Sequence, residues 1–291
     1  MTLAQVAKRA GVSPATVSRV LNNATVVKTS TRARVIRAAR ELNYHPNLHA
    51  QSLARGHSRT LGVIVSNMEN PFYLDIYRTL ESLARARGYE AVMANTGYDP
   101  EQLVSSIRLM IGRRVAGLAV IVSEMDHHVI QTIADSHIPC VFYDVGTPGR
   151  NMINVRVDYR KGVSKTVEHL HDLGHTRIGF IGHPASLGPI NERRSTFLEA
   201  VSRCGAGPLI KEGADGPHGG RQAVREMLQS GFRPTAMVCM NDFMALGVLH
   251  ELHSEGIRVP RDVSVTGFDN IGLAEFCSPP LTTVHIPRDQ I

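Results

Sequence analysis

The chain has 291 residues, 43% of them hydrophobic, with a formal net charge of +6, enough to bury a real core in one or two domains. Its longest apolar run, Ala116–Val122, is far too short for a membrane-spanning helix, and residues 1–25 lack the apolar block of a secretory signal, so the expected compartment is the cytoplasm. Cys140, Cys204, Cys239 and Cys277 stand singly, mostly among apolar neighbours, and read as reduced core residues rather than bridges or a zinc site.

The stretch from Leu3 to Asn23, LAQVAKRAGVSPATVSRVLNN, reads as two short helices joined by a tight turn. Thr2 can cap the first helix, with Gln5 closing a capping box, and Leu3, Val6, Ala7 and Ala10 fall on one apolar face. Gly11 suits the helix stop. Ser13 can cap the second helix, with Pro14 at its first position, where no N–H is needed. Val17, Val20 and Leu21 then face inward, leaving Pro14, Ala15, Thr16, Ser18 and Arg19 outside. A helix with a small, polar and basic outer face is what a DNA major groove accepts, although the pattern alone also fits an ordinary helical hairpin.

A third helix is expected from Ser30 or Thr31 to about Leu42, with Val35, Ala38, Ala39 and Leu42 inside and Arg32, Arg34, Arg37 and Arg40 outside. Residues 1–59 hold ten basic side chains against one acid, Glu41, a balance of +9, so the other 232 residues carry −3. The basic character belongs to this head and points to a polyanion. No amphipathic helix with large apolar residues accompanies it, which favours nucleic acid over a membrane surface. The head ends at Asn43–Asn47, where Pro46 stops the helix. A short segment, Leu48–Arg55, and a polar linker, Gly56–Arg59, follow.

From Thr60 the texture becomes alternating. Strands are expected at Leu61–Val65, Glu90–Ala94, Gly117–Val122, Cys140–Tyr143, Asn154–Val157, Ile178–Ile181, Ala236–Met240 and Val263–Thr266. Helices are expected at Tyr73–Arg87, Glu101–Arg113, Gly162–Leu173, Glu192–Cys204, Arg221–Gln229 and Asp242–Glu255. Such alternation implies parallel sheets covered on both faces, and domain size favours two lobes over one large sheet. Ligands of open parallel sheets bind beyond the carboxyl ends of the strands. That rule singles out Asn67, Asn70-Pro71-Phe72-Tyr73, Asp144, Asn241-Asp242 and Asp269-Asn270, although each Asn or Asp could equally be a helix cap.

The head sequences VAKRAGVSPATVSRVLNN and TRARVIRAARELNYHPN, followed in order by LGVIVSNMENPFY, DPEQ, RRVAGLAVI, LGHTRIGFIG, NDFMALGVL, GIRVPRDVSVTGFDN and PPLTTV, resemble the LacI–GalR family of bacterial transcription regulators over almost the whole chain. The resemblance implies a small all-α helix-turn-helix head (1–47), a hinge helix and linker (48–59) and a two-lobed, periplasmic-binding-protein-like α/β core (60–291), with lobes of about 60–157 and 158–286. It implies a homodimer, sometimes a tetramer, that binds a near-palindromic double-stranded DNA operator. It further implies that the dimer is a repressor controlled by a small sugar or sugar-derived effector between the lobes, and that it works in the cytoplasm on the nucleoid; no cofactor is expected. By position, Pro14, Ala15 and Arg19 match base-reading residues; Thr2, Ser13, Thr16, Ser18 and Asn22 match phosphate contacts; Ala50 and Leu53 match the minor-groove residues of the hinge. Phe72, Tyr73, Asp144, Arg193, Asn241 and Asp269 match effector-pocket positions.

The chain also departs from the family pattern. Lys28 stands where a capping Ser is common, with Thr29 or Ser30 as substitutes; Tyr159 replaces the Asn that usually follows Asp158; Thr196 replaces a Gly; and no aromatic stands near Asp215 to stack on a ligand. The family usually begins a few residues before the Thr2 position and normally adds a helix and a strand after PPLTTV, so a trimmed start and a truncated end are both expected. Three rivals are weaker. His169, His171 and His175 lack a zinc-binding geometry, because Gly174 breaks the helix, and the pair His127-His128 reads as surface. No phosphate loop or nucleophile–base pattern supports an enzyme. A cytoplasmic solute-binding protein would share the core, but not the basic head.

Overall fold

A computed structural model describes residues 1–21, 26–45, 58–125, 127–144, 149–184 and 188–291, without the side chain of His127. It divides into two compact units, Met1–Ser58 and Arg59–Ile291.

The first unit packs three helices: α1 (Leu3–Ala10), α2 (Pro14–Leu21) and α3 (Thr29–Glu41). The capping box forms: Gln5 N–H donates to Thr2 Oγ1 at 3.3 Å, and Thr2 N–H donates back to Gln5 Oε1 at 2.8 Å. Gly11 stops α1 in the left-handed region, at φ 63. Thr16 N–H donates to Ser13 Oγ at 3.2 Å and opens α2. Val6, Val17 and Val35, one from each helix, are fully buried at the centre. The third helix starts one residue earlier than its sequence pattern indicates. Lys28 is its cap residue and makes no side-chain cap, so neither Thr29 nor Ser30 takes over that role.

The second unit carries two all-parallel five-stranded sheets. The first contains β1 (Thr60–Val65), β2 (Glu90–Asn95), β3 (Gly117–Ile121), β4 (Cys140–Tyr143) and β5 (Met152–Val155), in the order β2-β1-β3-β4-β5. Its helices are α4 (Pro71–Ala86), α5 (Pro100–Gly112) and α6 (His127–Ser136). The second contains β6 (Arg177–Gly182), β7 (Gly207–Glu212), β8 (Ala236–Cys239), β9 (Ser264–Asp269) and β10 (Thr282–His285), in the order β10-β9-β8-β6-β7. Its helices are α7 (Tyr159–Asp172), α8 (Gly188–Arg203), α9 (Pro217–Gln229) and α10 (Asp242–Ser254). Read from the edge, both sheets have the same order, and each reverses direction next to its first strand.

Strand β1 shows why both sheet faces need cover. Ile64 packs with Leu103, Ile107 and Ile133 on one side, while Val63 and Val65 join Phe72 and Ile76 on the other. Helices α9 and α10 approach unusually closely. A Cβ on Gly247 would lie 1.9 Å from the Pro217 carbonyl oxygen, and one on Gly220 would lie 2.2 Å from that of Met244. The same helix pair buries Glu251 at 1% exposure between Arg221 at 3.0 Å and Arg225 at 2.6 Å. The Arg221 hydrogen bond, with Arg225 beside it, holds the Glu251 carboxyl below its usual range.

The chain crosses between lobes at residues 156–158 and again at 286–287. After the second crossing a short 3-10 turn, Arg288–Gln290, lies against the first lobe, where Arg288 pairs with Asp75 of α4 at 3.2 Å. The turn and Ile291 border an apolar groove of about 430 Å³ lined by Leu61, Ile76, Leu80 and Val155. Three elements of the core had no counterpart in the sequence-based expectation, and a fourth is shifted. β7 and β10 were not foreseen because both are edge strands with charged or polar, half-exposed faces, and α6 buries only Val129 and Ile133. The strand expected at Asn154–Val157 lies two residues earlier, as β5.

The glycine contact yields a reversal of the usual helix propensity. Gly112→Ala, at an exposed helix position with open space around it, is expected to stabilise by roughly 0.5–1 kcal/mol. Gly247→Ala is expected to cost about 1–3 kcal/mol, because its methyl meets backbone. Urea unfolding of both variants checks the pair; equal shifts would contradict the close crossing.

Candidate functional site

On the head, α2 presents Pro14, Ala15 and Arg19 as exposed residues, with Thr16 and Ser18 half-buried beside them. Thr2 and Ser13 are exposed caps, so their hydroxyls stand at two helix starts, where backbone N–H groups also favour an anion. Arg9 pairs with Glu41 at 2.6 Å, engaging the one acid of this region. Asn22, Ala50 and Leu53, with the Leu48–Arg55 segment, lie outside the described residues.

In the second unit, the carboxyl ends of both sheets face one cleft. Phe72, Tyr73, Arg193, Asn241 and Asp269 line a single cavity of about 30 Å³, together with Asn70, Tyr143 and Tyr159. That space holds a water or two, whereas a metabolite needs roughly 300 Å³ or more. The cleft is therefore closed. Asp144, the sixth residue expected there, is not on the lining. Its Oδ1 accepts the Val157 N–H at 2.6 Å, and its Oδ2 is buried without a hydrogen-bond partner among the described residues.

Aromatic rings shape the walls. Phe72 meets Tyr73 edge-on at 5.4 Å and Tyr143 at 5.8 Å. The Arg193 guanidinium lies 4.3 Å above the Tyr159 ring and 5.5 Å from that of Phe268, while its NH1 donates to the Met240 carbonyl at 2.9 Å. Burial works against the Arg193 charge, but Tyr159 and Asp269 outweigh it, and the pKa stands above the ordinary guanidinium value. Asp269 is 4% exposed, and burial lifts its carboxyl well above the usual range despite Arg193. Burial raises Asp144 in the same sense. Both aspartates have positive φ, 110 at Asp269 and 62 at Asp144, a strained backbone held at the end of a strand.

Asparagine amides complete the cleft. Asn70 caps α4 by accepting the Phe72 N–H at 3.1 Å, and Asn241 caps α10 by accepting the Met244 N–H at 2.8 Å. Asp242 is therefore not the cap. Fully buried, it accepts the Ile271 N–H at 2.8 Å and the Thr283 hydroxyl at 2.6 Å, bracing the end of β9 against β10. Sequence reasoning missed Tyr143 and Tyr159 as cavity walls, Phe268 as a ring beside Arg193, and Asp215 as an acceptor for cleft residues. Only Tyr159 carried a signal, as an unexpected residue after Asp158. Among the described residues, no group of three or more His, Cys, Asp or Glu could hold a metal ion, and His175 Nε2 lies 3.1 Å from Ser264 Oγ. The arrangement offers donors, acceptors and ring faces for holding a polar ligand in one orientation.

Comparison with known proteins covers both units. Residues 2–47 match the profile described as bacterial regulatory proteins, lacI family, and residues 167–291 match the periplasmic binding protein-like domain. The chain is 34% identical over 294 residues to the HTH-type transcriptional repressor PurR of Aliivibrio salmonicida (strain LFI1238), covering all of this chain and 88% of the relative. It is 34% identical over 293 residues to the HTH-type transcriptional repressor CytR of Escherichia coli (strain K12), covering 100% and 86%. Among solved structures, the lac repressor dimer bound to operator and the anti-inducer ONPF superposes with a TM-score of 0.82 at 31% identity, over 100% of this chain and 88% of that one.

Asp242 makes the stability of the second unit depend on pH. Burial raises its pKa to about 6, so its contribution is fully present below its unfolded pKa and is lost as pH rises through about 6. Asp242→Asn keeps an acceptor without the charge. Relative to the unchanged protein, its urea midpoint is expected to rise between pH 4.5 and pH 7; a constant difference would contradict the charged, buried carboxylate.

Proposed function

Since the chain belongs to the lacI family of bacterial regulatory proteins, we infer that it is a transcriptional repressor whose head binds operator DNA and whose core answers to a small-molecule effector. It is not an enzyme, and it acts as a dimer. The observation that carries this reading is the conjunction in one chain of a lacI-type head with an exposed α2 face, a charge of +9 over residues 1–59, and a two-lobed core with a polar cleft. Chromosomal DNA as the target places it in the cytoplasm, on the nucleoid.

The division of labour follows the chain. Residues 1–47 read DNA, 48–59 form the hinge and linker, and 60–291 bind the effector and dimerise. Arg19, with Pro14 and Ala15, is assigned to base edges in the major groove, because its parallel donors suit guanine O6 and N7. Thr2, Ser13, Thr16, Ser18 and Asn22 are assigned to phosphates, and Ala50 and Leu53 to the central minor groove. Phe72, Tyr73, Arg193, Asn241 and Asp269, with Asp144 beside them, are assigned to a sugar or related metabolite. One arginine, two carboxylates and ring faces suit a ligand rich in hydroxyl and N–H groups. The effector acts only through its different affinity for the open and closed cleft.

Selection of bound duplexes from a random DNA pool tests this reading. A palindrome of roughly 14–20 base pairs is expected, since two heads dock about one helical turn or more apart; absence of any binding, even at low salt, would overturn it. With that site known, Arg19→Ala is expected to cost about 1–3 kcal/mol and to relax specificity at one base position. Equal weakening on every sequence would assign Arg19 to phosphates instead.

A further inference from the structure

Asp215 stands in the loop between β7 and α9 of the second lobe, yet most of its partners lie on the first. Its Oδ2 accepts from Asn67 Nδ2 at 2.9 Å, from the Tyr98 hydroxyl at 2.8 Å and, more distantly, from Asn70 Nδ2 at 3.5 Å. Its Oδ1 accepts from Asn241 Nδ2 at 2.7 Å. Asn67 and Asn70 follow β1, and Tyr98 follows β2, so two separate loops of the first lobe converge on one carboxylate of the second. A helix cap or a local turn would draw its donors from its own chain segment. Here three of the four come from the facing lobe.

The Tyr98 ring also packs on His183 of the second lobe, with centroids 4.6 Å apart and planes at 31°. Burial, followed by the nearby Tyr73 and Asp215, lifts the Tyr98 pKa well above its ordinary value, so the hydroxyl stays a donor. Tyr98 keeps this position at a positive φ of 65. Hydrogen bonds to an ionised acceptor are among the stronger ones available to a protein. Two of the three bonded asparagines, Asn70 and Asn241, also line the closed cavity and cap α4 and α10.

We propose that Asp215 is a latch: its carboxylate, gripped by Asn67, Asn70 and Tyr98, holds the cleft closed. Opening the cleft far enough to admit a metabolite then requires these bonds to break together, and the latch sets the fraction of molecules that are open. Geometry alone supports this device, so it stands or falls independently of any effector assignment.

Hydrogen exchange followed by mass spectrometry, on the full chain with no ligand added, tests it. In Asp215→Ala, amides of residues 66–73 and 240–245, on opposite lobes, are expected to exchange about tenfold faster or more. The strand interiors 63–65 and 237–239 are expected to stay protected. Tyr98→Phe, which removes one hydroxyl and keeps the stacked ring, is expected to accelerate the same two segments by a smaller factor. Adding it to Asp215→Ala is expected to change nothing further, because the hydroxyl acts through that carboxylate. Faster exchange confined to residues 213–217, or Tyr98→Phe matching the unchanged protein in both segments, would overturn the latch. If Asp215→Ala does not fold, Tyr98→Phe decides the question alone.

Discussion

A parallel strand that turns straight into a helix leaves the first N–H groups of that helix without partners, and something polar must meet them. In this protein the answer is repeatedly a residue at the carboxyl end of a strand: Asn70 for α4, Asp99 for α5 and Asn241 for α10. The cleft lies at those same strand ends. Helix capping thus furnishes polar groups to the cleft before any ligand is considered. Asn70 and Asn241 show the economy of this arrangement, since each uses its carbonyl for the cap and keeps its amide for Asp215, Asn70 from across the cleft and Asn241 from the same lobe.

The shared strand order makes the lobes alike in topology, yet their chemistry differs. The first contributes mainly rings, Phe72, Tyr73 and Tyr143, on a sheet of buried aliphatic side chains. The second contributes the charges, Arg193 and Asp269, with Tyr159 beneath the guanidinium. A ligand held between them meets apolar faces on one side and directional hydrogen-bonding groups on the other, the usual division between affinity and orientation in small-molecule sites. Arg193 is fixed from several directions, by the Met240 carbonyl and two rings, so its donors are aimed in advance.

Much of this was legible in the sequence because the governing signals are local. Thr2 with Gln5, Gly11, and Ser13 with Pro14 each specify a helix end within four residues, and the head formed as those residues dictate. Buried central strands announce themselves as β-branched runs; β7 and β10 do not, because an edge strand keeps one side open to solvent and admits Lys211, Glu212 and His285. The site was half legible. Residues at strand ends could be nominated by position, and of the six pocket residues that the family resemblance implies, five share one cavity. Asp144 could not be separated from them, because its turn toward Val157 is a tertiary matter. Asp215 was beyond reach as well: nothing near it in sequence hints that Asn67 and Tyr98, more than a hundred residues away, would meet it.

The two chain crossings between the lobes bear on how the second unit can move. A single tether would allow the lobes to swing, twist and slide. Two tethers side by side remove most of those freedoms, as a pair of hinges does for a door, and leave chiefly rotation about the line through them. Each crossing is also fastened close by, the first where the Val157 N–H reaches Asp144 and the second where Arg288 grips both Asp75 and the carbonyl of Asn270. The pivot is therefore stiff, and displacement grows with distance from it. A small change at the cavity becomes a larger one at the far rims of the lobes, which is the mechanical advantage that a regulator needs if one small molecule is to be felt at a distance.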